Sequence, residues 1–69
     1  MTNHYYNIQT ADKRIVVCPY GAIFEMCLSI KGRLKYRVYF SNWECFEPLV
    51  EEFLKTAEIN DKRFFVEVV

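Results

Sequence analysis

The chain has 69 residues, of which 52% are hydrophobic and 17% are aromatic. This length holds one domain over residues 1–69, near the lower limit for a core that folds unassisted, and the apolar content compensates for the shortness. Nine Lys and Arg balance nine Asp and Glu, and this formal net charge of zero argues against a protein that binds phosphates through bulk positive charge.

Two strand patterns open the chain. Residues 4–10 carry tyrosines and an isoleucine, and Ala11-Asp12 follows as a turn signal. Lys13–Cys18 is a β-branched run, and the turn residues of Pro19–Gly21 end it. We predict that the first segment forms a short strand paired with the second.

Ala22–Phe40 has the pattern of a β-hairpin. In its second arm, apolar side chains alternate strictly with polar ones, which predicts a strand with one buried face. The even positions are Leu34, Tyr36, Val38 and Phe40, and the odd positions are Arg33, Lys35, Arg37 and Tyr39.

The length of the turn predicts the register of this hairpin, because the turn must bring the apolar faces of the two arms to the same side of the sheet. A two-residue loop, Lys31-Gly32, would set the apolar face of one arm against the charges of the other. A three-residue loop over 30–32, with Gly32 in the left-handed conformation, avoids the conflict. The predicted core pairs are then Leu28–Leu34, Met26–Tyr36, Phe24–Val38 and Ala22–Phe40, and the predicted outer pairs are Cys27–Lys35, Glu25–Arg37 and Ile23–Tyr39.

An amphipathic helix follows the hairpin. Ser41 and Glu44 match the capping box S-x-x-E, and apolar residues then recur at spacings of three and four. They are Trp43, Phe46, Val50, Phe53 and Ala57. Because Pro48 cannot donate a helical hydrogen bond, we expect one helix with a distorted first part. The alternative is a turn over 42–46 and a helix that starts at the proline. Asn60 is predicted to end the helix in the left-handed conformation.

The last strand is predicted at Arg63–Val69. A strand, a helix and a strand joined by short loops normally form a right-handed crossover, so this strand should run parallel to Arg33–Phe40. The predicted fold class is α+β: a small mixed, mainly antiparallel sheet of four or five strands in the order β-β-β-(β)-α-β, with one amphipathic helix packed on one face.

Cysteine and histidine usage argues against a metal site. The three cysteines contain no C-x-x-C, and the single histidine is His4 in a polar segment, so neither a metal nor a cofactor is predicted. The odd count favours a reducing compartment. There is no leader pattern and no apolar run of about 18 residues. We expect a cytoplasmic protein, in the host cytoplasm if a virus encodes it, with no membrane contact.

A cationic strand face is the first candidate binding surface. It comprises Arg33, Lys35, Arg37 and Tyr39. Cations on a sheet can contact phosphates while tyrosines stack on bases, so this face could bind nucleic acid or another partner. The same row is also typical of a solvated strand face, where positive charge deters edge pairing.

An acidic helix face is the second candidate surface. It comprises Glu44, Glu47, Glu51 and Glu58. Residues 1–40 carry a net charge of +4 and residues 41–69 a net charge of −4, so this face could meet a basic groove on another protein. A solvated outer face, with Glu51 and Lys55 as an i,i+4 pair, explains the same residues.

Catalysis is not predicted, because no set of residues supplies a nucleophile, a base and an orienting group. The chain instead has more aromatic side chains than one helix can cover, namely Tyr5, Tyr6, Tyr20, Tyr39 and Phe65. Such residues are enriched in interfaces. We therefore predict a protein-binding module, an inhibitor or adaptor that occludes a partner surface, as a virus- or mobile-element-encoded protein that blocks a host system would. The alternatives are a nucleic-acid-binding protein and a structural homo-oligomer such as a homodimer.

Overall fold

Five strands form one antiparallel sheet in sequence order, and one helix lies between the fourth and fifth strands. The structure is a computed structural model that describes residues 6–43 and 46–69. The elements are β1 (Tyr6–Gln9), β2 (Lys13–Tyr20), β3 (Ile23–Ile30), β4 (Arg33–Phe40), α1 (Glu47–Thr56) and β5 (Phe65–Val68). The predicted α+β fold, with its helix on one face of the sheet, is confirmed.

The core lies between the sheet and α1. The helix contributes Leu49, Val50 and Phe53, and Phe53 is fully buried with its ring centroid 6.2 Å from that of Tyr36. From the sheet come the buried side chains Ile15, Val17, Met26, Leu28, Val38 and Phe40. Since side chains alternate along a strand, these residues define one face of the sheet, and α1 packs on that face and not on the opposite one.

The predicted register of the β3–β4 hairpin is wrong by two residues. Leu28 lies opposite Tyr36, and Met26 lies opposite Val38. The turn is the two-residue Lys31-Gly32 loop, with Ile30 opposite Arg33. The alternation of apolar and charged residues had argued against this loop. Both turn residues have positive φ, 52° and 79°, as a type I′ turn requires.

A β-bulge reconciles this turn with the core pattern. The register shifts between Leu28 and Ser29, so that Leu34 pairs with Ser29 and Lys35 is left as the extra residue of β4. The apolar face from Tyr36 onward is therefore as predicted. Leu34 departs from it, because its partner Ser29 belongs to the outer face. The predicted outer pairs are also wrong, since Cys27 lies opposite Arg37 and Glu25 lies opposite Tyr39.

The last strand runs antiparallel to β4, not parallel as predicted. Phe65 pairs with Tyr39 and Val68 with Tyr36, so β5 begins at the end of the sheet where β4 finishes. The eight residues 57–64 that follow α1 are long enough to lead the chain back to that end, because an extended segment covers about 3.3–3.6 Å per residue. The chain therefore does not form the crossover connection that a parallel strand would need.

The helix is shorter than the apolar pattern suggests. It begins at Glu47, with Pro48 in its first turn, which is close to the alternative considered above rather than to one helix from Ser41. The helix ends at Ala57, which has φ 62° and donates its backbone N–H to the Phe53 carbonyl at 2.8 Å. The prediction that Asn60 forms this exit is wrong. Glu44, the second half of the predicted capping box, lies outside the described residues.

Candidate functional site: the outer face of the sheet

The outer face of the sheet is the surface that α1 leaves uncovered. Its central positions are Val16, Cys18, Tyr20, Ile23, Glu25, Cys27, Arg37, Tyr39, Phe65 and Glu67. None of these side chains is fully buried. A face that mixes apolar side chains with charges that already have partners on the same face can dock on another macromolecule at a lower desolvation cost than one with lone charges.

Three aromatic rings form a continuous row across this face, which we call the aromatic strip: Tyr20, Tyr39 and Phe65. The ring centroids of Tyr20 and Tyr39 lie 5.7 Å apart, and those of Tyr39 and Phe65 lie 5.9 Å apart. The outer members are well exposed, Tyr20 to 56% and Phe65 to 70%. The sequence predicts that one helix cannot cover these rings, but it does not predict that they lie beside one another. The missing signal was the antiparallel pairing of β5, which sets Phe65 beside Tyr39.

A cleft of about 440 Å³ opens beside the aromatic strip. Its walls come from the strip and from the segments that leave β4 and enter β5, and they comprise Ile23, Tyr39, Phe40, Ser41, Asn42, Arg63, Phe64 and Phe65. The Nη2 atom of Arg63 lies 2.6 Å from Oδ2 of Asp61, and its Nε donates to Oδ1 at 3.0 Å. These hydrogen bonds hold the pKa of the Asp61 carboxyl at about 2. Arg63, on the wall of the cleft, is thus paired with Asp61, and most of the other lining residues are apolar or aromatic.

The charges on the outer face are paired within it. Nη1 of Arg37 lies 3.2 Å from Oε1 of Glu67, its direct neighbour on β5. This hydrogen bond raises the pKa of Arg37. Burial and a hydrogen bond with Glu25 raise the pKa of the Tyr39 hydroxyl. Arg37 and Tyr39, which the sequence grouped with Arg33 and Lys35, thus belong to a face on which Arg37 is paired with Glu67 and Tyr39 is bonded to Glu25.

Two thiols, Cys18 and Cys27, are half-buried on the same face and are not disulfide-bonded. The Cys27 thiol donates to Oε1 of Glu25 at 3.7 Å. Burial, and then the Glu25 carboxylate, raise the pKa of Cys27, which disfavours the reactive thiolate. In the part of the chain that the structure describes, no group of three or more His, Cys, Asp or Glu residues could hold a metal ion.

Five cations gather at one end of the sheet, which we call the basic end: Lys13, Arg14, Lys31, Arg33 and Lys35. The β1–β2 and β3–β4 turns meet there, and the Lys31 backbone N–H donates to the Asp12 carbonyl at 2.7 Å. Arg33 and Lys35 therefore lie apart from Tyr39, which is four residues, or about 13 Å, further along β4. The cationic strand face that the sequence predicts is divided into the basic end and the neutralised outer face.

The acidic helix face is present on α1 and just beyond it. Glu47, Glu51 and Glu58 are exposed, and Lys55 is exposed among them. Glu47 also lies near the Tyr6 hydroxyl, whose pKa is raised by burial and then by this carboxylate. The fourth predicted member, Glu44, lies outside the described residues. Tyr6, which was predicted to be surplus, packs edge-on against Phe46 on the helix side at 4.9 Å.

Within residues 6–43 and 46–69, no helix has the length and apolar character needed to cross a membrane. Comparison of the chain with protein-family models, with curated proteins and with solved structures gives no match.

Proposed function

We propose that this chain is a non-catalytic protein-binding module, an inhibitor or adaptor, and that it binds its partner with the outer face of the sheet. The observation that carries the proposal is the aromatic strip, in which Tyr20 and Phe65 are 56% and 70% exposed on the face without a helix. Exposed aromatic rings in contact with one another are typical of interface centres.

The energetics of association favour this surface. Each aromatic side chain can bury about 150–250 Å², and these rings are already held by neighbouring strands, so little conformational entropy is lost on binding. The cleft beside the strip can accept an apolar side chain of the partner. Because Arg37 is already paired with Glu67, covering this face desolvates a balanced pair rather than a lone charge.

A capture experiment with a matched control tests the proposal. The tagged wild-type chain, the Tyr39→Ser, Phe65→Ser double variant and the control Val68→Ser are each used to capture proteins from host lysate. Val68 is 75% exposed and lies on the helix side of β5, so the control removes an exposed apolar side chain from the other face of the same strand. Urea unfolding of all three proteins verifies that each is folded.

The expected result is a partner that wild type and control retain and the double variant loses. For the purified partner, removal of two interface aromatics should weaken binding by about 2 kcal/mol or more, roughly thirtyfold in Kd. A partner that the double variant binds as tightly as wild type does would refute the assignment of this surface.

Nucleic-acid binding is the alternative function, and the basic end is the feature that favours it. Against it, Lys35 lies about 13 Å from Tyr39 along β4, and Arg37 is paired with Glu67. Titration with a single-stranded oligonucleotide at two salt concentrations separates the two functions. Salt-sensitive binding that Lys35→Glu, Arg37→Glu abolishes would support the alternative, and absence of binding at low salt would exclude it.

A further inference from the structure

We infer that two copies of this chain associate, with the basic end of one copy docked on the acidic helix face of the other. This inference concerns surfaces other than the aromatic strip and goes beyond the proposed function. It rests on two exposed groups of opposite charge, the basic end and the acidic helix face.

The basic end is a dense positive surface. Its cations come from β2, from the β3–β4 turn and from β4, and the hydrogen bond of 2.7 Å between Lys31 and Asp12 fixes the two turns side by side. Arg14, Lys31, Arg33 and Lys35 are all exposed. Among the described residues, the only ion pair at this end joins Lys13 to Asp12, at 3.6 Å. Most of this positive charge therefore has no ion-pair partner among residues 6–43 and 46–69.

The acidic helix face is the complementary surface. Its described members, Glu47, Glu51 and Glu58, are exposed, and none of them belongs to any of the three ion pairs found in residues 6–43 and 46–69. Glu47 and Glu51 lie one turn apart on α1, so the spacing of their backbone positions is fixed, and Glu58 follows just after the helix. A positive surface of similar extent would meet them without further ordering of the backbone.

A second copy of this chain is a suitable partner for both charged surfaces, because each copy carries one of each. In a two-fold dimer, the basic end of each copy faces the helix of the other, so every contact is made twice and the assembly closes. A net charge of zero allows two copies to approach without overall repulsion.

Reciprocal charge reversal tests this dimer. Variant A carries Lys31→Glu and Arg33→Glu, and variant B carries Glu51→Lys and Glu58→Lys. Neither glutamate lies in the first turn of the helix, where negative charge stabilises it. Sedimentation velocity measures the association of wild type, A, B and an equimolar mixture of A and B. The ionic strengths are about 0.01 M and about 1 M, where the Debye lengths are about 30 Å and about 3 Å.

Wild type is expected to dimerise at low salt and to dissociate at high salt. For variant A alone and for variant B alone, the dissociation constant of the dimer should rise more than about tenfold above that of wild type, because like charges would meet. The mixture should recover association, since the reversed end of A fits the reversed helix of B. Far-UV circular dichroism verifies the fold of each variant.

Other outcomes overturn the inference. They are a wild type that stays monomeric at low salt, association that neither reversal weakens, and two weakened variants whose mixture does not recover. A monomeric wild type whose basic end binds an oligo(dT) of about 16 nucleotides, or a poly-glutamate peptide, would assign that end to another ligand. None of the four substitutions alters the aromatic strip, so failure here is distinct from failure of the proposed function.

Discussion

At the scale of single residues, Cys27 shows how neighbouring groups on the outer face control the ionisation of a thiol. Its thiol donates to Glu25, which lies two residues away on β3, while Arg37 lies directly opposite on β4. Burial and the carboxylate raise the pKa of Cys27, and Arg37 lowers it by less. A raised pKa means that less thiolate is present at any given pH, so this cysteine behaves as a small packed side chain.

The substitution Glu25→Gln should therefore make Cys27 more reactive. It removes the negative charge that raises the pKa of Cys27 and leaves the thiol only a weaker, uncharged acceptor, while Arg37 continues to lower the pKa. In a background with Cys18→Ser and Cys45→Ser, alkylation of Cys27 by iodoacetamide should be faster at about pH 8, and its pH–rate profile should move to lower pH. The matched control Glu51→Gln should leave the profile unchanged. A profile that stays in place, or moves to higher pH, would contradict this account of the thiol.

At the scale of elements, the end of α1 is a strained exit. Ala57 has a left-handed backbone with φ 62° and ψ 18°, a conformation that is unfavourable for a residue with a Cβ and ordinary for glycine. Ala57 nevertheless closes the helix through its N–H bond to Phe53. Ala57→Gly should raise the free energy of unfolding by about 0.5–1 kcal/mol, as measured by urea denaturation.

The control for the helix exit is Asn60→Gly. Asn60 is not a positive-φ position, so glycine there should give no gain, and the extra chain freedom should slightly destabilise the fold. If Asn60→Gly stabilised the protein and Ala57→Gly did not, the helix would end where the sequence alone suggested.

The strands also show which features of this fold the sequence pattern predicts and which it does not. Alternation predicts the strands and the face of β4 from Tyr36 onward, because burial on one side selects every second side chain. It does not predict the bulge at Lys35. A two-residue turn with one extra residue in β4 and a three-residue turn without it both place the apolar side chains of the two strands on the same face. The direction of β5 was missed because it depends on the path of residues 57–64, which carries no periodic signal.

The same bulge limited the prediction of the binding surface. Uninterrupted alternation would join Arg33, Lys35 and Arg37 into one row beside Tyr39, whereas the extra residue separates the first two from the outer face. Phe65 enters the aromatic strip only because β5 is antiparallel, which pairs it with Tyr39. The sequence therefore indicates which residue types are available for binding, and the pairing of the strands decides which of them lie together.

At the scale of the whole molecule, stability is concentrated in the middle of the sheet. β2, β3 and β4 have strands on both sides and contribute the fully buried Ile15, Val17, Met26, Leu28 and Val38. β5 has one neighbouring strand, and its residues are exposed or half-buried. Local opening should therefore begin at the edges, while the central strands should open only on global unfolding.

Hydrogen exchange should resolve this gradient amide by amide. Val69 donates its N–H to the Lys35 carbonyl at 2.9 Å, and because bonded pairs alternate along an antiparallel ladder, the Phe65 and Glu67 amides also point toward β4. The Val66 and Val68 amides then point away from the sheet.

In native-state exchange measured by NMR at about 1 M salt, where the inferred dimer is dissociated, the amides of β3 should be the slowest and that of Glu67 intermediate. Those of Val66 and Val68 should exchange almost as fast as in an unfolded chain. Slow exchange at Val66 and Val68 would mean that another strand is paired with the free edge of β5. The free edge of the sheet, rather than its outer face, would then be the principal contact surface of the protein.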